Sequence, residues 1–298
     1  MSVLAGVPAP KSDDLSMRRP TSLLLLAALF CSLEGGARAE SPASTSSGAE
    51  GWRGYVLEYA RSRYPARLIN GAPKGAKRVD FAWLFYLLRK GDRVVLVDTG
   101  FTAKRYRRGL RLSRYRHPRE LLATLTIKPE RVTDVVLTHG HFDHAGGLGL
   151  YPRARVWIGS RELKLRQRGR RPLARLLRRA RATHRLRLVK VKRSLAPGLE
   201  LEQAGGHTPG SMVLWLRDAR RRCVFVGDEC YLRRACRETL LLPRKALASA
   251  HRNRALLNRI AGQMTLTPKL RVYTGHDPGI LADRDGRAVG AGVVEICR

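Results

Sequence analysis

None of the five cysteines stands in a Cys-x-x-Cys pair, which removes a thioredoxin-like redox motif and a zinc-ribbon module. Long apolar runs are also missing. Leu23 to Cys31 is too short to cross a bilayer comfortably. No internal repeat is visible, so nothing supports a solenoid or propeller. Acids are scarce: 24 Asp and Glu stand against 58 Lys and Arg, for a formal net charge of +34. The stretch Arg161 to Arg193 carries fifteen Lys and Arg, a single acid, Glu162, and no aromatic side chain. Without rings on which bases can stack, it lacks the platform of single-strand nucleic-acid binding. No specific nucleic-acid partner is expected.

The apolar run reads instead as part of an export signal. Met17-Arg18-Arg19 supplies a charged start, Leu23 to Cys31 the apolar centre, and Ala37-Arg38-Ala39 a small-x-small cleavage site before Glu40. On this reading residues 1–39 are a signal peptide with Met17 as its start. Residues 40–53, rich in Ser, Ala and Gly, are a flexible mature N-terminus, and 54–298 form one domain. A secreted or periplasmic location follows. Four cysteines remain after cleavage, Cys223, Cys230, Cys236 and Cys297. Cys223 lies in the strand-like Cys223-Val224-Phe225-Val226 and is expected as a small core hydrophobe, with no obligatory disulfide.

Histidine is what the chain has in a pattern. Thr138-His139-Gly140-His141-Phe142-Asp143-His144 follows the apolar run Val135-Val136-Leu137, and His207, Asp228 and His276 each come later after a strand-like stretch. Strand ends let a rigid scaffold aim distant side chains at one point. His139 and His141, two residues apart, can pinch one cation, which His207 would complete. Asp143 and His144 offer an oxygen and a nitrogen to a second cation, which His276 would complete. Asp228 can bridge the two. Zinc accepts imidazole and carboxylate at about 2.0–2.2 Å. Two metals about 3.5–4 Å apart share a water, lower its pKa and polarise a substrate oxygen. Two divalent ions, zinc by ligand type, are therefore expected. One lone histidine after a strand would mean little; seven ligand-type residues in four strand-terminal clusters are a specific signal.

These motifs resemble those of the metallo-β-lactamase superfamily over about Tyr55 to Asp277, with Val97-Asp98-Thr99-Gly100 as a further match. The resemblance implies an α+β fold, a four-layer αβ/βα sandwich with a dinuclear metal site at one edge. It also implies that Asp98 orients an imidazole from behind. Within the superfamily, Asp228-Glu229-Cys230-Tyr231 is similar to the Asp-x-x-Tyr of the N-acyl-homoserine lactonases, as are Leu125 to Val132 and Ala196-Pro197-Gly198-Leu199. Glu229 departs from that group, where small residues are usual.

Together with the export signal, the resemblance implies an exported hydrolase that opens small-molecule lactones by attack of a metal-bridging hydroxide. Tyr231 would stabilise the oxyanion and Asp143 would pass the proton. The alternatives are a phosphodiesterase or thioesterase with the same ligands, or an anion- or membrane-surface-binding protein with a structural metal site. Pro172 to Ala180 reads as a basic amphipathic helix, so Arg161 to Arg193 is either a solvated face or a contact for anionic molecules or surfaces.

Strands are expected over Gly54–Ala60, Val79–Leu88, Arg93–Val97, Val132–Leu137, Arg155–Ile158, Leu186–Val191, Leu199–Ala204, Met212–Leu216 and Cys223–Val226. Helices are expected over Pro118–Thr124 and Leu247–Ala261.

Overall fold

From Phe81 to Leu88 every side chain is buried, which requires a strand covered on both faces. The computed structural model describes residues 51–298 apart from 170, 220, 268 and 284. The proposed signal peptide and its cleavage site lie outside the described residues. In chain order the elements begin with β1 (Arg53–Pro65), β2 (Arg78–Lys90) and β3 (Arg93–Val97), then α1 (Lys104–Gly109) and α2 (Pro118–Thr124). Next come β4 (Asp134–Val136), α3 (Phe142–Ala145), β5 (Arg155–Gly159), α4 (Ser160–Arg166), α5 (Pro172–Ala182) and β6 (Leu186–Val189). β7 (Lys192–Ala196), β8 (Leu199–Gln203), β9 (Met212–Arg217) and β10 (Arg222–Gly227) follow. The chain closes with α6 (Arg233–Arg237), α7 (Ala250–Leu266), β11 (Leu270–Thr274), β12 (Arg287–Gly290) and β13 (Val293–Ile296).

The strands form two sheets, one ordered β12-β13-β1-β2-β3-β4-β5-β6 and the other β11-β10-β9-β8-β7. Side chains alternate between faces along a strand, and the three apolar clusters follow that alternation. Leu84, Tyr86, Val95 and Val97 of the first sheet pack against Leu201, Leu214, Leu216 and Phe225 of the second. On the outer face of the first sheet, Phe85, Leu87 and Leu96 meet Leu121, Leu122 and Leu177 from α2 and α5. Outside the second, Val213, Trp215 and Val224 meet Leu256, Leu257 and Ile260 of α7. The result is the helix–sheet–sheet–helix sandwich that the resemblance implied.

β3 and β4 run parallel, as do β10 and β11. Their C-terminal ends therefore open on shared edges: His139 to His144 come after β4, Asp228 after β10 and His276 after β11, while His207 comes after β8.

Local signals place the helices as expected. α2 starts at Pro118 behind His117, whose side chain accepts from Arg119 N while Glu120 reaches back to its backbone, a reciprocal cap. α7 begins later than its apolar spacing suggested, because Ser249 caps it by accepting from Arg252 N at 3.3 Å. The strand expected over Val132–Leu137 shortens to β4, and that over Leu186–Val191 to β6. Elements with weak periodicity, among them α1, α4, β7, β12 and β13, were not expected.

Two expectations fail. The flexible segment does not extend to residue 53: Trp52 is buried and its indole N–H donates to Pro197 O at 3.0 Å, so the large ring anchors the entry to β1. The cysteines are paired rather than free, Cys223 with Cys297 and Cys230 with Cys236. Cys223 is a core residue, as expected, but folding brings β10 beside the residue that follows β13, a proximity that spacing does not encode.

Because the Cys223–Cys297 bridge closes a loop of separation 74, chain entropy assigns it about 4 kcal/mol. Cys223→Ala with Cys297→Ala should therefore lower the thermal midpoint by roughly 10 °C in a calorimetric scan. A scan unchanged by the double substitution would show that the bridge contributes no stability.

Candidate metal centre

β3 stops at Val97, and Asp98 turns the chain with φ of 66°, an uncommon conformation for a residue with a side chain. Its buried carboxylate accepts from Thr138 N and Thr138 Oγ1, each at 2.8 Å, and faces His144 Nδ1 at 2.7 Å. The turns after β3 and β4 are thereby tied together. The one-turn α3 starts directly after His141 and carries Asp143 and His144 inward.

Hydrogen bonds at the far side of each ring set which nitrogen faces the site. His144 Nδ1 donates to Asp98. His207 Nδ1 donates to Ala246 O at 2.7 Å, and His276 Nδ1 to Ala82 O at 3.0 Å. Thr138 Oγ1 gives its own proton to Asp98, so at 3.2 Å it accepts from His139 Nδ1. Four imidazoles therefore turn Nε2 toward the centre, each ring fixed by the hydrogen bond at the opposite nitrogen. His141 is the exception and presents Nδ1.

The predicted residues come together as two clusters sharing one side chain. His139, His141, His207 and Asp228 form the first, and Asp143, His144, Asp228 and His276 the second, with ligand atoms inside each within 4.8 Å of one another. His141 Nδ1 lies 2.9 Å from His139 Nε2 and 3.1 Å from His207 Nε2. Asp228 points Oδ2 at the first cluster, 3.6 Å from His207 Nε2 and 3.9 Å from His139 Nε2. It points Oδ1 at the second, 3.2 Å from both His144 Nε2 and His276 Nε2. Asp228 is positioned this way by Gly227, whose φ is +53° and where a Cβ would stand 2.6 Å from Thr138 Oγ1.

The clusters fit a divalent cation each. His144 Nε2 and Asp228 Oδ1 are buried without a hydrogen-bond partner, and a bound cation would satisfy both. Burial, then the neighbouring histidines, depress the basicity of His139 well below its usual range. Burial and then His207 bring His141 to about 4. Both rings are thus neutral and ready to donate lone pairs. At His144 burial opposes charge, but the carboxylates of Asp228, Asp143 and Asp98 outweigh it and raise its pKa well above the usual value. Burial likewise opposes charge on Asp228, and His144 with His276 overcomes it, so the shared carboxylate stays ionised. A proton on His144 holds the place that a cation would take.

Two buried acids that sequence reasoning did not assign hold the histidine-bearing loops. Glu162 accepts from Gly140 N at 2.8 Å, Thr208 Oγ1 at 2.6 Å and Arg166 Nε at 2.8 Å, joining the His139–His141 loop to the His207 loop. Glu229 accepts from Gly206 N and His207 N, both at 3.1 Å, from Ser211 Oγ at 2.5 Å and from Asn253 Nδ2 at 2.8 Å. Its departure from the lactonase pattern thus has a structural role. The available signals were a lone acid in a basic run and a second acid beside Asp228.

Aromatic rings wall one side. Phe81 stacks on His276 with centroids 4.2 Å apart, and Tyr64 stacks on Phe81 at 4.5 Å. The Tyr231 ring lies 5.7 Å from that of His276 and 6.2 Å from that of His207. Its hydroxyl has no hydrogen-bond partner among the described residues. Burial, then Asp228, raises its pKa, so it keeps its proton. The Cys230–Cys236 bridge spans this tyrosine. On the His141 side a cleft of about 980 Å³ opens between Phe101–Tyr106, Phe142 and the α4–α5 segment.

Metal-free protein should take up about two divalent cations per chain and release protons as it does so, because a cation displaces the proton on His144. Elemental analysis reads the stoichiometry, and calorimetry in buffers of different ionisation heat reads the release. Asp228→Ala should lower the occupancy of both clusters. A wild-type stoichiometry of one would overturn the paired arrangement.

Known proteins place this geometry. Metallo-beta-lactamase domain-containing protein 1 of Mus musculus is 47% identical over 64 residues, 22% of this chain and 21% of that protein. Its Rattus norvegicus counterpart is 54% identical over 39 residues, 13% of this chain and 16% of that protein. The matches span about a fifth of these curated relatives. Among solved structures, a quorum-quenching N-acyl homoserine lactone lactonase superimposes with a TM-score of 0.64 at 18% identity, over 78% of this chain and 95% of that one. A probable metal-dependent hydrolase from Staphylococcus aureus gives 0.64 at 15%, over 76% and 89%. AidC, a dizinc quorum-quenching lactonase, gives 0.57 at 19%, over 76% and 88%. At such identities the likeness shows the fold alone. The family model described as the metallo-beta-lactamase superfamily matches residues 84–276, which takes in all seven clustered residues and more than half of the sequence. The chain belongs to the metallo-beta-lactamase superfamily.

Proposed function

We propose that this chain is an exported, dinuclear lactone hydrolase. The observation that carries the reading is the Tyr231 ring, 5.7 Å from that of His276 and 6.2 Å from that of His207, with its hydroxyl without a hydrogen-bond partner among the described residues. The solved lactonases with the same fold support the substrate class. The run Leu23 to Cys31 before Ala37-Arg38-Ala39 supports export, and two disulfides suit an oxidising compartment. Imidazole and carboxylate donors suit zinc. His139, His141, His207 and Asp228 would hold one ion, and Asp143, His144, His276 and Asp228 the other.

When bound, two such cations supply an acidified water and polarise the carbonyl. The protein's own groups do the rest. Tyr231 donates its hydroxyl proton in a hydrogen bond to the carbonyl oxygen as negative charge develops there. Burial works against charge on Asp143, but His144 prevails and lowers its pKa. Asp143 is therefore ionised, and the carboxylate oxygen not engaged by a cation would take the proton from the attacking water and return it to the leaving ring oxygen. The Asp98, Ala82 and Ala246 acceptors keep the histidine rings from turning during these transfers. Phe81 and Tyr64 shield one side from bulk water.

A phosphodiesterase is the second reading, favoured by the arginines lining the cleft beside His141. A panel of lactones, β-lactams, thioesters and phosphodiesters on metal-analysed protein separates the two.

Tyr231→Phe keeps the ring against His276 and removes only the donor. It should cut lactone kcat by roughly 10- to 1000-fold, with metal content and thermal midpoint near wild type. If the variant turns over lactones at the wild-type rate, the hydroxyl is not the oxyanion donor.

A further inference from the structure

We infer that the cleft beside His141 binds the anionic end of an amphiphilic substrate, a carboxylate or phosphate ester group remote from the bond that is cleaved. The inference rests on the hydrolytic reading of the adjoining centre and specifies what that centre receives.

The cleft wall is charged in one sense only. Arg105, Arg166, Arg168 and Arg171 line it, and among the described residues no acid does. Arg166 is spent, since its Nε donates to buried Glu162 at 2.8 Å. Arg105 lies over the ring of Tyr106, 4.7 Å from its centroid. Arg168 and Arg171 are exposed and have no carboxylate partner among the described residues. Uncompensated guanidinium groups in a concave, partly apolar wall focus a positive field and offer paired donors to a carboxylate or phosphate.

The floor is apolar. Tyr106 stacks on Phe142 with centroids 3.9 Å apart, and Leu173 and Leu176 of α5 complete the surface. A neutral ligand would use the floor and leave the arginines idle. A bare inorganic anion would use the arginines and leave the floor wet. A chain with an apolar middle and a charged end uses both.

The basic wall is also held in shape. Arg178 Nη1 donates to Gln167 O at 3.2 Å and Gly169 O at 3.0 Å, pinning the Arg168 loop to α5. α5 meets the cleft at Arg171 and Pro172 without a side-chain cap and without an acid in its first turn. A segment readable as a solvated basic face thus forms one wall of the approach to the metal centre.

The test uses the metal-loaded chain and two non-hydrolysable acyl lactams that differ only at the far end of the acyl chain, one an ω-carboxylate and the other its methyl ester. A third lactam with an ω-phosphate separates phosphate from carboxylate recognition. Calorimetry should show the two anionic lactams binding about tenfold or more tighter than the ester at low salt. The advantage should shrink as salt screens the field over about 8–10 Å. Arg168→Gln with Arg171→Gln should shrink it to about threefold or less, with metal content and thermal midpoint retained. Leu176→Asn should weaken all three ligands.

Equal binding of anionic and neutral lactams, or an advantage that survives the double substitution, would overturn the inference. So would binding of anionic vesicles or single-stranded RNA through the same arginines without discrimination among the lactams. Lactone turnover with no charge discrimination sinks this inference alone. Charge discrimination without turnover of any ester in the panel sinks the lactonase reading alone.

Discussion

The centre depends on one buried carboxylate that is not among the seven clustered residues. Asp98 accepts two hydrogen bonds from Thr138 and one from His144. With a single side chain it joins the ends of two parallel strands, fixes the tautomer of one imidazole and, through the Thr138 hydroxyl, sets that of His139. It does so from a left-handed backbone position that costs about 1–3 kcal/mol in a residue with a side chain. Such a cost persists only where surrounding bonds over-determine the geometry. Three short hydrogen bonds to buried groups are enough to do that.

Glu162 and Glu229 extend the same logic outward. Each is buried, each accepts from backbone N–H groups of a histidine-bearing loop, and each is satisfied by a further side chain. The loops that carry His139, His141 and His207 have no regular hydrogen-bond ladder of their own. Their backbone donors are met by these two acids, which converts loop into scaffold. A strongly basic protein therefore concentrates several of its few acids around one point. The remaining surface is left positive, including the approach to the cleft.

Much of this was legible in the sequence, for identifiable reasons. The seven clustered residues could be named because each follows an apolar stretch, and strand ends converge in a layered fold. β2 could be read because its apolar run is unbroken, and α2 because His117, Pro118 and Glu120 mark its start. The Cys223–Cys297 bridge could not, since it depends on which strands become neighbours across the sandwich. Glu229 looked like a mere departure because its partners, Gly206, Ser211 and Asn253, are distant in sequence. His141 presenting Nδ1 while its neighbours present Nε2 is likewise a matter of ring orientation, which spacing does not carry. β7, β12 and β13 escaped because short or exposed strands have weak alternation.

His276 follows β11, a strand of the smaller sheet, yet its ring hangs from Ala82 in β2 of the larger one. The backbone bonds Ala82 N to His276 O and Leu84 N to Gly275 O, each at 3.1 Å, cross the same boundary. The second cluster therefore straddles the seam between the layers, with His144 supplied from one side and His276 and Asp228 from the other. The two layers cannot slide past each other without pulling that cluster apart. A ligand gripping it would act as a rivet through the sandwich, and shear of the whole fold and loosening of its grip would be one motion.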